Sequence, residues 1–291
     1  MAEKLVSTVI TTYKREPDIV HRAIKSVLNQ SYKNIEIIII DDNPTIGEFS
    51  NEIKKIAETY SNVRYIKNHG NKGAQISRNN GIANAKGEFI AFLDDDDTWE
   101  KEKIEKQIKC FKDNIGIVFC NGYIVDENYE PPKKTIYNKI FKQNVTFKDM
   151  LEEDYIGTTT QFLIKKECFD KVGNFDEKFP ARQDYEMCIR ITKDYDAFGV
   201  DDYLFNHYIH KDEQISKNFN KSLTGYKMLY GKYKKYYDEN KYAKVRIFDN
   251  MAYVCSIHNK KLYALPILMK GFLTDPKFAF KFLKKRFTGK V

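Results

Sequence analysis

The chain has 291 residues, 31% of them charged, with a formal net charge of +8, and is long enough for one sizeable α/β unit with an appendage. The charge is lopsided: residues 221–291 hold 17 Lys and Arg against 4 Asp and Glu, a net +13, leaving 32 against 37 over residues 1–220. An acidic body with a basic tail argues against a general nucleic-acid-binding surface and directs the tail toward anions, membrane phospholipid first. Cys110, Cys120, Cys168, Cys188 and Cys255 are odd in number and lack both metal-ligand spacing and a disulfide framework, as expected of a reducing compartment. No leader-like apolar segment follows Met1, and no window reaches the roughly 18 to 20 apolar residues of a membrane span. The expected location is cytoplasmic, peripheral on a membrane at most.

Residues 5–13 are β-branched and short, a strand, and Pro17 opens a segment with Ile19, Val20, Ala23, Ile24, Val27 and Leu28 at helical spacing. The aliphatic run 35–40, leaving through Asp41-Asp42-Asn43-Pro44, suits a strand buried on both faces of a parallel sheet. The pattern then predicts a helix over 53–60, a strand over 63–66, a helix over 75–85 and a strand over 88–93. This alternation implies βαβ crossovers and a Rossmann-like sheet, whose ligands bind beyond the carboxyl ends of the strands. Three such ends deliver Thr11 to Arg15, Asp41 to Asn43, and Asp94 to Asp97 to one edge. Downstream, the period is helical over 101–111, residues 116–120 read as a strand, and 128–146 as a polar excursion around Pro131-Pro132. A short helix over 147–153, a segment over 158–164, a helix over 183–192 and a late strand carrying His207 complete this part.

Asp94 to Asp97 close an apolar segment. Two unit charges about 4 Å apart repel by roughly 1 to 4 kcal/mol at effective dielectrics from water to protein surface, so the cluster calls for a cation. Oxygen-only ligands suit Mg²⁺ or Mn²⁺ bridging a few carboxylates to a diphosphate. The alternative is a solvated turn capping a helix that starts near Thr98.

The segments 6–15, 40–43, Asn71-Lys72-Gly73, 77–81, 87–97, 172–177 and 183–186 together resemble the family 2 glycosyltransferases of the GT-A fold, over roughly residues 5–215. The resemblance implies a nucleotide-sugar donor, a divalent cation and an inverting single displacement. It places Tyr13 near the nucleobase with Thr11 and Arg15 around the donor, Asp42 as an acceptor from the base, and Arg78 on donor phosphate. Asp94 is expected to address the ribose or sugar, and Asp96 the metal. Asp95 fills a slot more often small, which leaves open whether it or Asp97 shares the ion. Asp184 corresponds to the general base, the alternative being a helix N-cap. Thr158 and Thr159 match a hydroxyl-lined donor and acceptor pocket, the alternative being plain strand, and His210 matches a basic position meeting diphosphate or metal, the alternative being a surface imidazole. Cys188 stands where the family often has tryptophan.

The implied architecture is a GT-A catalytic domain over 1–217, with a nucleotide-sugar-binding half (1–115) and an acceptor-binding half (116–217), and a basic aromatic helical extension over 218–291. The Phe- and Lys-rich stretch 276–287 reads either as an interfacial membrane anchor or as a docking helix. The expected activity is transfer of a hexose or N-acetylhexosamine from a UDP-sugar to a hydroxyl of a lipid-linked glycan of a bacterial surface polysaccharide. A sugar-nucleotide nucleotidyltransferase is the enzymatic rival, but it would want a glycine-rich loop after the first strand, and Thr11 to Arg15 has none. The other rival is a non-catalytic glycan- or membrane-binding module on the same fold.

Overall fold

A computed structural model describes residues 3–137, 140–209 and 218–288. The first half alternates as the apolar pattern dictates: β1 (Val6–Thr12), α1 (Pro17–Leu28), β2 (Ile35–Asp41), α2 (Glu48–Glu58), β3 (Val63–Lys67), α3 (Ala74–Asn84) and β4 (Phe89–Asp94). Pro17 occupies the first turn of α1, and Val20, Ala23, Ile24 and Val27 form its buried face. Along β2, Ile37 and Ile39 join the cluster under α1 and α2, whereas Ile38 and Ile40 join the cluster on the opposite face. Both sides of that strand are covered, which is why its sequence is aliphatic throughout rather than alternating.

β5 (Thr98–Trp99), α4 (Lys103–Ile108), β6 (Ile115–Asp126), β7 (Lys133–Ile136), β8 (Asn144–Val145), α5 (Phe147–Glu152), a 3₁₀ turn (Thr159–Gln161), β9 (Phe162–Lys165), α6 (Lys166–Val172), α7 (Gln183–Thr192) and β10 (Asp196–Tyr208) follow. The sheet order is β3-β2-β1-β4-β9-β6-β10-β5, with β7 on β6 and β8 on β10. β1 to β4, β6 and β10 run parallel, while β9 runs against both β4 and β6. From β1 the chain steps outward to β2 on one side and later returns as β4 on the other. The topological switch point, the usual place for a ligand crevice, therefore lies between β1 and β4. Thr11 is level with Ile40 on one neighbour and Asp94 on the other, so three strand exits open at the same height.

Three elements differ from the sequence pattern. No helix starts at Thr98; Thr98 and Trp99 pair with Asn206 and Phe205 of β10, and the helix begins at Lys103. The threonine run is not strand but a 3₁₀ turn, because Thr158 and Gln161 form a reciprocal capping box. The polar excursion contains β7, whose four residues are all exposed on the sheet's rim and so carry no hydrophobic signal.

The extension comprises α8 (Phe219–Lys232), α9 (Lys234–Glu239), α10 (Lys241–Ile257), α11 (Lys261–Thr274) and α12 (Pro276–Thr288). Leu223, Tyr226, Leu229, Tyr233, Tyr237, Phe248 and Met251 belong to the same apolar cluster as Phe92, Tyr185 and Ile189, so sheet and extension share one core. No helix among the described residues is long and apolar enough to cross a membrane.

Candidate active site

At the exit of β1 the backbone turns through a left-handed Lys14 (φ 52°), whose N–H donates to Asn43 Oδ1 at 2.8 Å. The kink leaves Tyr13 exposed with the Lys14 ammonium 5.3 Å from its ring centroid. Arg15 turns inward, its Nε 3.1 Å from Asp95 Oδ1 and its Nη2 2.7 Å from Asp96 Oδ2.

At the exit of β2, the buried Asp42 accepts from Asn68 Nδ2 (2.8 Å), Lys72 N (2.9 Å) and Gly73 N (2.7 Å). It thereby ties down the loop into α3, where Gly73 adopts φ 89°, a conformation costly for any residue with a Cβ. α3 then presents Arg78 to Asp94, Nη2 to Oδ1 at 2.9 Å. Arg78 is buried, and its Nη1 has no hydrogen-bond partner among the described residues. Such a donor costs free energy until something accepts from it. One residue along, Asn79 exchanges hydrogen bonds with the Phe175 backbone (3.0 and 2.9 Å), binding α3 to the loop that leads toward α7.

The four aspartates after β4 diverge. Asp94 Oδ1 accepts from Arg78 and from Thr159 Oγ1 (3.3 Å). Asp95 and Asp96 face Arg15. Asp97 is fully buried, accepts from Thr160 Oγ1 at 2.9 Å and lies 2.9 Å from His207 Nδ1. Burial pushes Asp95 up to about 7 against the pull of Arg15, with Asp96 and Asp94 adding to the rise. Burial likewise raises Asp97, opposed by His207. For His207 burial disfavours the imidazolium, but the Asp97 bond and the nearby acidic charges outweigh it and hold the ring above its ordinary value. The side chains of Asp94 and Asp96 stay 32% and 18% accessible, whereas Asp97 is sealed, so Asp97 is a support for the turn rather than a ligand facing the crevice.

The donor set is oxygen only, as Mg²⁺ or Mn²⁺ requires, and Arg15 already places a positive charge between two of its carboxylates. Among the described residues no three His, Cys, Asp or Glu side chains form a metal cage.

Asp184 sits in the first turn of α7 but does not cap it; the N-cap is Arg182, left-handed at φ 65°. Asp184 Oδ1 accepts from the adjacent Tyr185 N–H (2.8 Å), and among the described residues its carboxylate has no ion-pair partner. Asp154, which the sequence did not single out, stands near it, accepting from Gly157 N at 3.0 Å. Burial, then the charge of Asp184, pushes Asp154 up to about 7. The phenol of Tyr137, just past β7, is raised by burial first and then by the charges of Asp97, Asp184, Asp94 and Asp154. Its ring stands edge-on to His207 at 5.4 Å. Cys188, buried behind Asp154 and Asp184, is raised by burial and by both.

Of the positions named from sequence, Thr11, Arg15, Arg78, Asp94, Asp95, Asp96 and Thr159 converge on the β1/β4 crevice, with Tyr13 and Asp42 along its edge. Thr158 caps the 3₁₀ turn. His210 lies outside the described residues. Asp154 and Tyr137 were missed because each is a lone residue in a segment without periodicity or motif; Arg22, whose Nη2 donates to Asp96 O at 3.2 Å, was missed because it stands on the polar side of α1, where helical periodicity marks only the apolar face.

The sequence pattern of Glycosyl transferase family 2 matches residues 7–173, β1 to just past α6. The chain belongs to glycosyl transferase family 2. This family 2 glycosyltransferase is 30% identical over 226 residues to WfgD of Escherichia coli, named as a UDP-Glc:alpha-D-GlcNAc-diphosphoundecaprenol beta-1,3-glucosyltransferase; the match covers 77% of this chain and 84% of WfgD. It is also 30% identical to an uncharacterized glycosyltransferase of Methanocaldococcus jannaschii, over 83% of this chain and 84% of the relative. Among solved structures, S. aureus TarS in complex with UDP-GlcNAc resembles it with a TM-score of 0.61 at 12% identity, covering 98% of this chain and 92% of the other. The mannosyltransferase PcManGT from Pyrobaculum calidifontis, in complex with GDP-Man and Mn²⁺, gives 0.61 at 13% identity, covering 99% and 88%. At these identities the structures share the fold, a mostly parallel GT-A sheet flanked by helices.

Proposed function

We propose that this glycosyltransferase is a metal-dependent inverting enzyme that moves a hexose or N-acetylhexosamine from a UDP-sugar to a hydroxyl of a lipid-linked glycan during surface-polysaccharide assembly. The meeting of cationic and acidic side chains at the β1 and β4 exits carries the reading: Arg15 pairs with Asp95 and Asp96, and Arg78 pairs with Asp94. The name of WfgD, with its UDP-Glc donor and diphosphoundecaprenol-borne acceptor, supports the choice of substrates.

On this reading Tyr13 offers its exposed ring to the nucleobase, beside Thr11. Asp42, with three of roughly four acceptor positions filled, keeps one for a base N–H. The orphan Nη1 of Arg78 meets a donor phosphate oxygen. Asp96, with Asp94 beside it, would hold Mn²⁺ or Mg²⁺, which would supply charge stabilisation for the leaving diphosphate. Asp184, without an ion-pair partner among the described residues, takes the proton of the acceptor hydroxyl, a step worth roughly 10²- to 10⁴-fold in rate. Thr158 and Thr159 line the pocket between donor and acceptor, and Asp95 reaches the donor through Arg15.

Thermal-shift titration with UDP-sugars and GDP-sugars, with and without Mn²⁺, tests it. A ligand at 100 times its Kd should stabilise by about 2.7 kcal/mol. The shift should appear with a UDP-sugar, need the metal, and vanish in Asp96→Asn; no shift with any nucleotide sugar and metal overturns the reading.

A further inference from the structure

We propose that the outer face of α11 is a docking surface for an anionic phospholipid bilayer. The proposal stands apart from the assignment of donor and acceptor.

α11 is apolar between its lysines, yet Ala264 and Gly271 are its only buried residues. Leu262, Leu265, Pro266, Met269 and Leu273 recur at three- and four-residue intervals, which gathers them into one stripe of roughly 100°. That stripe faces water: Leu262 is 86% and Leu273 83% exposed. The opposite side, Ala264, Ile267 and Leu268, packs on the shared core. A helix ordinarily turns its apolar stripe inward; here a second one points outward, and such patches mark interaction sites.

The charges say what the patch meets. At about 100° per residue, Lys261 and Lys270 fall on opposite flanks of the stripe, where aliphatic stems can lie along apolar surface with ammonium groups at a phosphate layer. Residues 260–284 hold six lysines and one acid, Asp275. A second copy of the chain would set one extension of net +13 against another, which self-repulsion opposes. A bilayer with anionic headgroups offers both an apolar interior and the opposite charge.

α12, where the sequence suggested membrane contact, is used differently. Ala279 and Phe282 are buried against Val245, and Tyr242 stands 5.2 and 5.1 Å from the rings of Phe278 and Phe282. α12 therefore docks on α10 through its aromatic side, and its exposed Lys277, Lys281 and Lys284 add charge to the neighbouring face.

The test is co-sedimentation of the full chain with vesicles of phosphatidylglycerol and phosphatidylcholine, against phosphatidylcholine alone. The wild type should bind the anionic vesicles preferentially. Leu262→Glu with Leu273→Glu should lower partitioning by at least about tenfold, and Lys261→Gln with Lys270→Gln by about fivefold per lysine at low salt. Melting temperatures should stay at the wild-type value, because all four side chains are exposed. Failure of the wild type to bind anionic vesicles, or undiminished binding by the double-glutamate variant, overturns the proposal. So does a result in which that variant abolishes self-association in analytical ultracentrifugation while keeping vesicle binding. Vesicle binding is read without turnover, so failure of the donor assignment leaves it untouched, and its own failure leaves metal-dependent donor binding untouched.

Discussion

The turn at 94–97 and the first turn of α7 both carry carboxylates, but they are built in opposite ways. Each aspartate of the first has fixed partners: Arg78 and Thr159 on Asp94, Arg15 on Asp95 and Asp96, His207 and Thr160 on Asp97. Asp184 has one hydrogen bond on its carboxylate among the described residues, from the Tyr185 N–H, and the segment that carries it is held from behind. Arg182 lies 4.6 Å from the ring of Tyr226 in α8, and a Cβ on Gly225 would come within 2.5 Å of Ala181 O, so α8 rests against the loop that feeds α7. One turn on, the fully buried Glu186 takes Lys232 (2.8 Å), Tyr233 (3.0 Å) and Arg190 (3.0 Å). Carboxylates that work as fixed charges can be pinned by their side chains. On the proposed reading Asp184 is the carboxylate that accepts a proton, and its hydrogen bond comes from the neighbouring Tyr185 N–H.

If that contrast holds, the largest effect comes from Asp184→Asn. Transfer should fall roughly 10²- to 10⁴-fold in a donor-consumption assay, while calorimetry finds donor affinity near wild type; full kcat in this variant would break the comparison. Glu186→Ala attacks the scaffold instead. Removing one partner of a buried pair costs about 3 to 5 kcal/mol, and the lower end is expected here because Arg190 and Lys232 keep some access to water. A melting temperature lowered by several degrees, with weakened transfer but retained donor binding, would tie the extension to the acceptor half.

The smallest effect sharpens the role of Asp154. Its native value, about 7, lies above the ordinary carboxyl value of the unfolded chain. The native state therefore holds that proton more tightly, and the group's contribution to stability declines as pH rises from about 4 to about 7. Asp154→Asn removes this slope, so by urea denaturation the variant should be more stable relative to wild type at pH 8 than at pH 5. An unchanged difference would mean that burial does not hold the Asp154 proton in the native state.

The parallel half was legible from sequence because each of its strands and helices carries its own period, and because charged residues stand at the strand ends, where ligands bind in such sheets. Asp94 to Asp97 and Arg78 were legible for the same reason. The finer division among the aspartates was not, since it depends on Thr160 and His207, 63 and 110 residues away in the chain. Tyr137 follows a rim strand with no buried face, and Asp154 is a single acid in a loop, so neither leaves a pattern to read. In the tail, composition revealed a basic, apolar character but not which helix turns its apolar side outward, because that depends on what covers each helix in the fold.

The continuous core from Phe92 through Tyr185 to Phe248 has an evolutionary corollary. A recombination event at residue 217 could not simply graft a foreign tail onto this catalytic body. The newcomer would have to bring its own counterparts of Tyr226, Leu229 and Tyr237 to plug the exposed flank. A foreign tail that lacked such side chains would leave the apolar flank of the catalytic body open to water.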